Sequence, residues 1–211
     1  MKYKAKNNLL EELKFLSYFN KRDVYQLGKN EKTNNLKDNT IDTYISRFLK
    51  HKDIISLKRG IYASTDFYNK NKDDISYLFF LANILRKPSY ISSWTALQYY
   101  NLATEAIYTV TSVTPKITRN YKTKVGTFSY RSIKKDLFSD FFLVKDKFDF
   151  FIASPSKALF DLLYFKTKQF RGIKIENIDS LIEELRIDIN EMDKEEQKKF
   201  YSMINNYICH E

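Results

Sequence analysis

The chain is poor in the residues that most chemistry-bearing motifs need. Its single cysteine, Cys209, cannot form an intramolecular disulfide, so the fold must rest on packing, and a reducing cytoplasm is the expected compartment. Four glycines and three prolines are too few for a collagen-like or low-complexity chain and leave no glycine-rich phosphate loop. The only histidines are His51 and His210, and neither has a cysteine or carboxylate at metal-ligand spacing. No cofactor is therefore expected, and a binding protein is favoured over an enzyme. The longest apolar run, Tyr77 to Ala82, falls far short of the ~20 residues that span a bilayer. Lys2, Lys4 and Lys6 imitate the start of a secretion signal, but Glu11 and Glu12 interrupt the Leu9 to Leu16 segment that follows, so neither export nor a membrane partner is expected.

What the chain does have is aromatic residues and positive charge. Seventeen Phe and 16 Tyr among 211 residues supply enough apolar surface for one large or two small domains. The formal charge of +10 is unevenly spread. Up to Asp66 there are 14 basic and 8 acidic residues, from Phe67 to Gly172 there are 17 and 8, and thereafter 5 and 10. A basic body suits a polyanion, because each Lys or Arg placed at a phosphate releases condensed counterions, although basic charge also serves solubility alone.

The most informative stretch runs from Asn39 to Ala63. Ile41, Tyr44, Ile45, Phe48 and Leu49 fall at i, i+3, i+4, i+7 and i+8, which puts them on one side of a helix facing a core. Thr43, Ser46, Arg47 and Lys50 share the opposite side, where packing has no use for them. Asn39 suits the N-cap, with Asp42 near the positive end of the helix dipole. Beyond His51, Ile54, Ile55 and Leu57 and then Ile61, Tyr62 and Ala63 favour two strands, with Lys58 and Arg59 at the reversal and Gly60 supplying its positive φ. Upstream, Leu9, Leu13 and Leu16 mark a first helix, and Asn20 with Asp23 caps a second that stops at Gly28. A polar linker, Lys29 to Lys37, completes the pattern of a winged helix-turn-helix over residues 1–66. On this reading Thr43, Ser46, Arg47 and Lys50 meet a double-stranded DNA operator, and Lys58 and Arg59 hold its backbone.

Residues 67–211 read as a second domain, entered through a polar link at Asp66 to Lys72. Ile75, Leu78, Phe79, Ala82 and Leu85 form a helical stripe ending before Pro88, and Tyr90-Ile91 is followed by a helix capped by Ser92 or Ser93 and closed by a left-handed Asn101. Strands are expected at Ile107 to Thr114, Val125 to Ile133, Phe138 to Val144 and Phe148 to Ile152, forming an antiparallel sheet. Ser154-Pro155 opens a helix with Ala158, Leu159, Leu162, Leu163 and Phe165 on its apolar side, and helices follow at Ile178 to Arg186 and Lys194 to Ile208. The fold class is thus α+β, with the sheet packed against helices.

Three clusters in this second domain invite chemistry. Lys116, Arg119, Lys122, Lys124, Arg131, Lys134 and Lys135 occur without an acid among them and alternate with Tyr121, Phe128 and Tyr130, which suggests a second polyanion surface able to stack unpaired bases. An edge strand guarded by lysines explains the same run as well. Lys157 and Asp161 stand one helical turn apart and suit a structural ion pair. Asp136, Asp140, Asp146 and Asp149 would make a metal-dependent nuclease only if the fold gathered them.

The order of these signals resembles the AbiEi-type antitoxins and transcriptional regulators of type IV toxin-antitoxin, abortive-infection systems. The residues that carry the resemblance are Lys58-Arg59-Gly60-Ile61-Tyr62; Tyr90-Ile91-Ser92 with Ala96-Leu97 and Asn101-Leu102; and Ser154 through Leu162, which holds Lys157 and Asp161. Asn101 stands where the family pattern usually has glycine, and the region after Gly172 has no counterpart in it. The resemblance implies an N-terminal winged helix that represses its own operon and a C-terminal domain that counters a nucleotidyltransferase-like toxin encoded nearby. An RNA- or protein-binding module with DNA binding secondary is the alternative.

Overall fold

The computed structural model describes residues 2–33, 35–104 and 108–208. Cys209 and His210 lie outside the described residues, as does Ile107, the expected start of a strand. The chain is α+β and divides into two compact units, Met1–Leu81 with Lys122–Val125, and Ala82–Tyr121 with Gly126–Glu211. Among the described residues no helix is long and apolar enough to cross a membrane.

Unit 1 begins with α1 (Lys2–Leu13), β1 (Phe19–Asn20), α2 (Lys21–Gly28) and α3 (Asp38–His51), followed by β2 (Ile54–Lys58) and β3 (Ile61–Ser64). Asn20 caps α2 as its spacing predicts: its side-chain oxygen accepts from Arg22 N and Asp23 N, and Asp23 accepts in return from Asn20 N. Gly28 is there for space rather than for a left-handed cap. A Cβ at this position would lie 2.5 Å from Ile41 Cδ1, so only glycine lets α2 approach α3 this closely. The predicted stripe of α3 is the core: Ile41, Tyr44, Ile45 and Phe48 are buried, together with Leu9, Leu13, Phe19 and Val24.

Three expectations for unit 1 are corrected. The first concerns the N-cap of α3, which falls at Lys37 with no side-chain hydrogen bond, and so places Asn39 inside the first turn. The Lys29 to Lys37 linker is also structured, because a short 3-10 turn at Glu31–Thr33 buries Thr33, whose hydroxyl lies within hydrogen-bonding reach of Leu27 O, Gly28 O and Asn30 O. Lastly, the stretch from Asp66 to Lys72, expected as a link, is largely helical, lying in α4 (Thr65–Asn71), which is started by the Ser64 hydroxyl accepting from Phe67 N. The hairpin forms as expected, with Gly60 at φ +77 and a bulge between Ser56 and Lys58, and β1 adds a third strand through Phe19↔Tyr62 and Asn20↔Ile61.

Helix α5 (Ile75–Leu85) is buried nearly all round, and Ile75, expected inside, is 54% exposed. Asp74 accepts from the Ser76 amide and hydroxyl, and Ile75 is the first residue of the helix, before its buried face begins.

Unit 2 comprises β4 (Tyr90–Ile91), α6 (Ser93–Tyr99), β5 (Thr109–Thr114), β6 (Arg119–Lys122) apart from its last residue, β7 (Thr127–Ser132), β8 (Phe141–Val144), β9 (Phe150–Ala153), α7 (Pro155–Lys166), α8 (Ile178–Glu184) and α9 (Lys194–Ile208). The sheet is mixed, not antiparallel, with order β6-β7-β5-β4-β9-β8. The pairs β5/β7 and β4/β9 are parallel, whereas β4/β5 and β8/β9 are antiparallel. Alternation of side chains reveals a strand but not the direction of its neighbour, and here the connections return strands to central positions. Asn101 closes α6 at φ 59, and the Leu102 amide reaches back to Leu97 O, as a left-handed cap requires. Ser154 caps α7 by accepting from Lys157 N. Helix α9 is tied to the start of α7 through Glu196, which accepts from the Ser156 amide at 3.1 Å and its hydroxyl at 2.6 Å. Burial opposes the charge on Glu196, but Lys199 at 2.8 Å and the Ser156 donors outweigh it, and its pKa is lowered.

Candidate nucleic-acid interface

The outer face of α3 is set by what its inner face and flanks hold in place. Asp42 is the anchor: the Tyr25 hydroxyl donates to its Oδ1 at 2.7 Å, and Lys21 Nζ lies 2.8 Å from the same oxygen. The Lys21 ammonium, and then the Tyr25 hydroxyl, hold the Asp42 carboxyl below its ordinary pKa, while the carboxylate raises the pKa of both partners. Lys29 pairs with Asp38 at 2.9 Å, so both acids in the first half of α3 are turned toward α2.

That arrangement leaves the other side of α3 free of acid. Thr43, Ser46, Arg47 and Lys50 are all exposed there, as their spacing predicts. The Thr43 hydroxyl donates to Asn39 O at 2.8 Å and the Ser46 hydroxyl to Asp42 O at 3.0 Å, which leaves their oxygens available as acceptors. Arg47 and Lys50 make no hydrogen bond or ion pair with any described residue. Asn39, four positions before Thr43, joins them with its amide exposed and unengaged among the described residues. The sequence reading assigned Asn39 to the cap and so missed it. The repeat Asn39, Thr43, Ser46, Arg47, Lys50 was the available signal.

The hairpin is held as firmly as the helix. The Lys21 amide donates to Gly60 O at 3.1 Å, which fastens the β2–β3 turn to the start of α2. Tyr62 is half-buried, its ring 5.9 Å from that of Phe19, and acts in packing. At the turn Arg59 is exposed, while Lys58 is half-buried at the end of β2. Compared with known proteins, the chain matches no family model and no curated protein.

The other predicted clusters behave differently. Lys116, Arg119, Lys122, Lys124, Arg131, Lys134 and Lys135 are all exposed, but Lys122 and Lys124 belong to unit 1 and the others to unit 2. Several are already engaged: Lys116 Nζ donates to Lys87 O, Arg131 lies 5.2 Å from the Phe165 ring centre and Lys134 5.4 Å from that of Tyr207. The expectation that aromatics here stack on bases is overturned, because Phe128 and Tyr130 are fully buried and Tyr121 packs edge-on against Tyr130. Their alternation with Ser129 and Arg131 turns the rings to the covered face of the strand.

Lys157 and Asp161 form the expected pair, at 2.8 Å, in the core. Asp161 Oδ2 accepts from the Ser92 hydroxyl at 2.7 Å and the Tyr90 hydroxyl at 3.0 Å. Ser92 therefore sits at the N-cap of α6 without capping it. Burial raises the Asp161 pKa, against the pull of Lys157, Ser92 and Tyr90. Tyr90, Ser92, Lys157 and Asp161 are thus one buried network joining β4 to α7. Among the described residues no three His, Cys, Asp or Glu side chains come together as a metal site needs, so Asp136, Asp140, Asp146 and Asp149 are not gathered into a nuclease centre.

Proposed function

We propose that the chain is a DNA-binding transcriptional repressor in which unit 1 is a winged helix-turn-helix, α3 the helix that enters a major groove and β2–β3 the wing. The observation that carries this reading is the outer face of α3, where Arg47 and Lys50 stand exposed without partners among the described residues while Asp38 and Asp42 are paired with lysines. An unpaired guanidinium suits guanine, whose O6 and N7 accept both prongs of its fork, and the Asn39 amide suits adenine. Arg59, exposed at the hairpin turn, would meet a phosphate on this reading. Titration of the full-length protein against labelled duplexes from upstream of its own gene, with shuffled duplexes as competitors, tests the reading. Equal affinity for both sets refutes it.

We further propose that unit 2 serves as an antitoxin against a nucleotidyltransferase-like toxin encoded nearby, with autoregulation of the shared operon. This part rests on the resemblance to AbiEi-type proteins. Since Lys157 and Asp161 are buried, a toxin would be met by other, exposed residues of unit 2. Co-expression with the adjacent gene tests it: the Arg47→Ala variant should still rescue growth if neutralisation is independent of DNA. RNA binding by base stacking is disfavoured, because Phe128 and Tyr130 are buried.

A further inference from the structure

We propose that unit 2 carries a binding site for a small organic phosphate with a planar ring, of the size of a nucleoside monophosphate. The site is a cleft of about 360 Å³ lined by α6, β5, β7 and α7, within the range of ~300–1,000 Å³ typical of small-ligand pockets. Its polar residues are Ser93, Thr111, Ser112, Ser129, Arg131 and Lys166, and its aromatic walls are Trp94 and Phe165. No carboxylate lines it, so two cations face the cavity without compensation.

Of the polar residues, Thr111 is bonded to Ser92 and Thr95, whereas the other side chains make no hydrogen bond with a described residue. Ser93 is only 8% exposed, yet its hydroxyl has no hydrogen-bond partner among the described residues. The buried hydroxyl of this lining is that of Ser112, a residue 1% exposed, and it too has no hydrogen-bond partner among the described residues, which a hydroxyl so buried ordinarily finds. Neither Ser129 nor Lys166 bonds to any described residue through its side chain. Arg131 is held over the Phe165 ring at 5.2 Å, and its side chain makes no hydrogen bond with any described residue, so its donors remain for a ligand.

The wall is also stiff. Ser93 occupies φ 57, a left-handed conformation that costs a residue with a side chain of order 1 kcal/mol and is retained where the surroundings fix it. Those surroundings are on both sides: Ser92 is bonded to Asp161, and the Thr111 hydroxyl donates to Ser92 O at 2.6 Å while the Thr111 amide donates to Thr95 Oγ1 at 2.9 Å. The first turn of α6 is thereby locked to β5, which sets Ser93 and Trp94 at the rim of the cleft. A phosphate fits the Ser93, Arg131 and Lys166 donors, and a planar ring fits against Trp94, since Arg131 already covers the Phe165 ring.

Trp94 is the chain's one tryptophan, so its fluorescence reports directly on the cleft. The full-length protein is titrated with adenosine, guanosine, cytidine and uridine 5′-monophosphates, and separately with inorganic phosphate and the four nucleosides. At least one nucleotide should change Trp94 emission saturably and bind about tenfold tighter than phosphate or its own nucleoside. Arg131→Gln, an exposed position whose change leaves the core intact, should weaken that binding about tenfold, and Arg119→Gln should not. No saturable response to any of the four up to about 5 mM, phosphate or nucleoside binding as tight as the nucleotide, or unaltered binding by Arg131→Gln overturns the proposal. The site stands or falls independently of DNA binding by unit 1.

Discussion

Lys157 Nζ lies 2.8 Å from Asp161 Oδ1 one turn along α7, with the two side chains 2% and 0% exposed. A buried pair of this kind contributes little net stability relative to apolar residues, but removing one member strands the other's charge. Lys157→Met is therefore expected to destabilise the protein by about 3–5 kcal/mol, and Lys157→Met with Asp161→Leu by clearly less than the sum of the two single changes. Urea unfolding of the four proteins measures this. Additive losses would show that the two side chains do not interact.

Glu196 and Asp161 respond oppositely to acid. The pKa of Glu196 is lowered from its ordinary 4.5, so the folded state holds its charge better than the unfolded chain does. Its contribution is fully present above pH 4.5 and is lost as pH falls through the folded value. Asp161 is raised from 3.8, so on its own it erodes stability as pH climbs from 3.8 toward its folded value. Glu196→Gln should flatten the loss of stability below pH 4.5 measured by urea midpoints at successive pH values. An unchanged acid limb contradicts a charged Glu196 bonded to Ser156 at the start of α7.

Gly28 faces Ile41 with no room for a methyl group, a Cβ there lying 2.5 Å from Cδ1 and 2.9 Å from Cγ1. Gly28→Ala gains up to ~1 kcal/mol of helix propensity but incurs ~1–3 kcal/mol of overpacking against a residue that is itself fully buried. Net destabilisation is expected, with partial recovery when Ile41→Val removes Cδ1. Thermal unfolding decides the sign, and a more stable Gly28→Ala protein would mean that α2 and α3 are not in this close contact.

Arg59 and Arg47 should differ in kind. Arg59→Ala is expected to weaken binding to every duplex alike and to lower the slope of log affinity against log salt by about one. Measured affinities between low and physiological salt test this; an unchanged slope would remove Arg59 from the phosphate contacts.

Much of unit 1 was legible because its signals are local. The Ile41 to Phe48 stripe, the Asn20–Asp23 capping box and the glycine at the hairpin turn each depend on residues within a few positions. The start of α3 escapes the sequence because Asn39 is a good cap by type, yet the cap falls two residues earlier at Lys37, whose side chain does not cap. Placing the cap at Asn39 hid one of the exposed residues of the candidate interface. In unit 2 the helix starts and the left-handed Asn101 were equally local, whereas the parallel pairings of β5 with β7 and β4 with β9 join segments that carry no mark of their neighbours. The Asp161 network and the cleft at Trp94 are likewise products of the topology: Tyr90 and Ser92 meet Asp161 across about 70 intervening positions.

The central claim is that the outer face of α3 reads bases, and the most direct measurement is the affinity of wild type and Arg47→Ala for the upstream duplex and for a set carrying single base-pair changes across it. The account predicts that Arg47→Ala loses about 1–3 kcal/mol on the native duplex and becomes indifferent to one base pair that wild type discriminates. Arg47→Ala binding every duplex as wild type does, with the same order of preference, would contradict it.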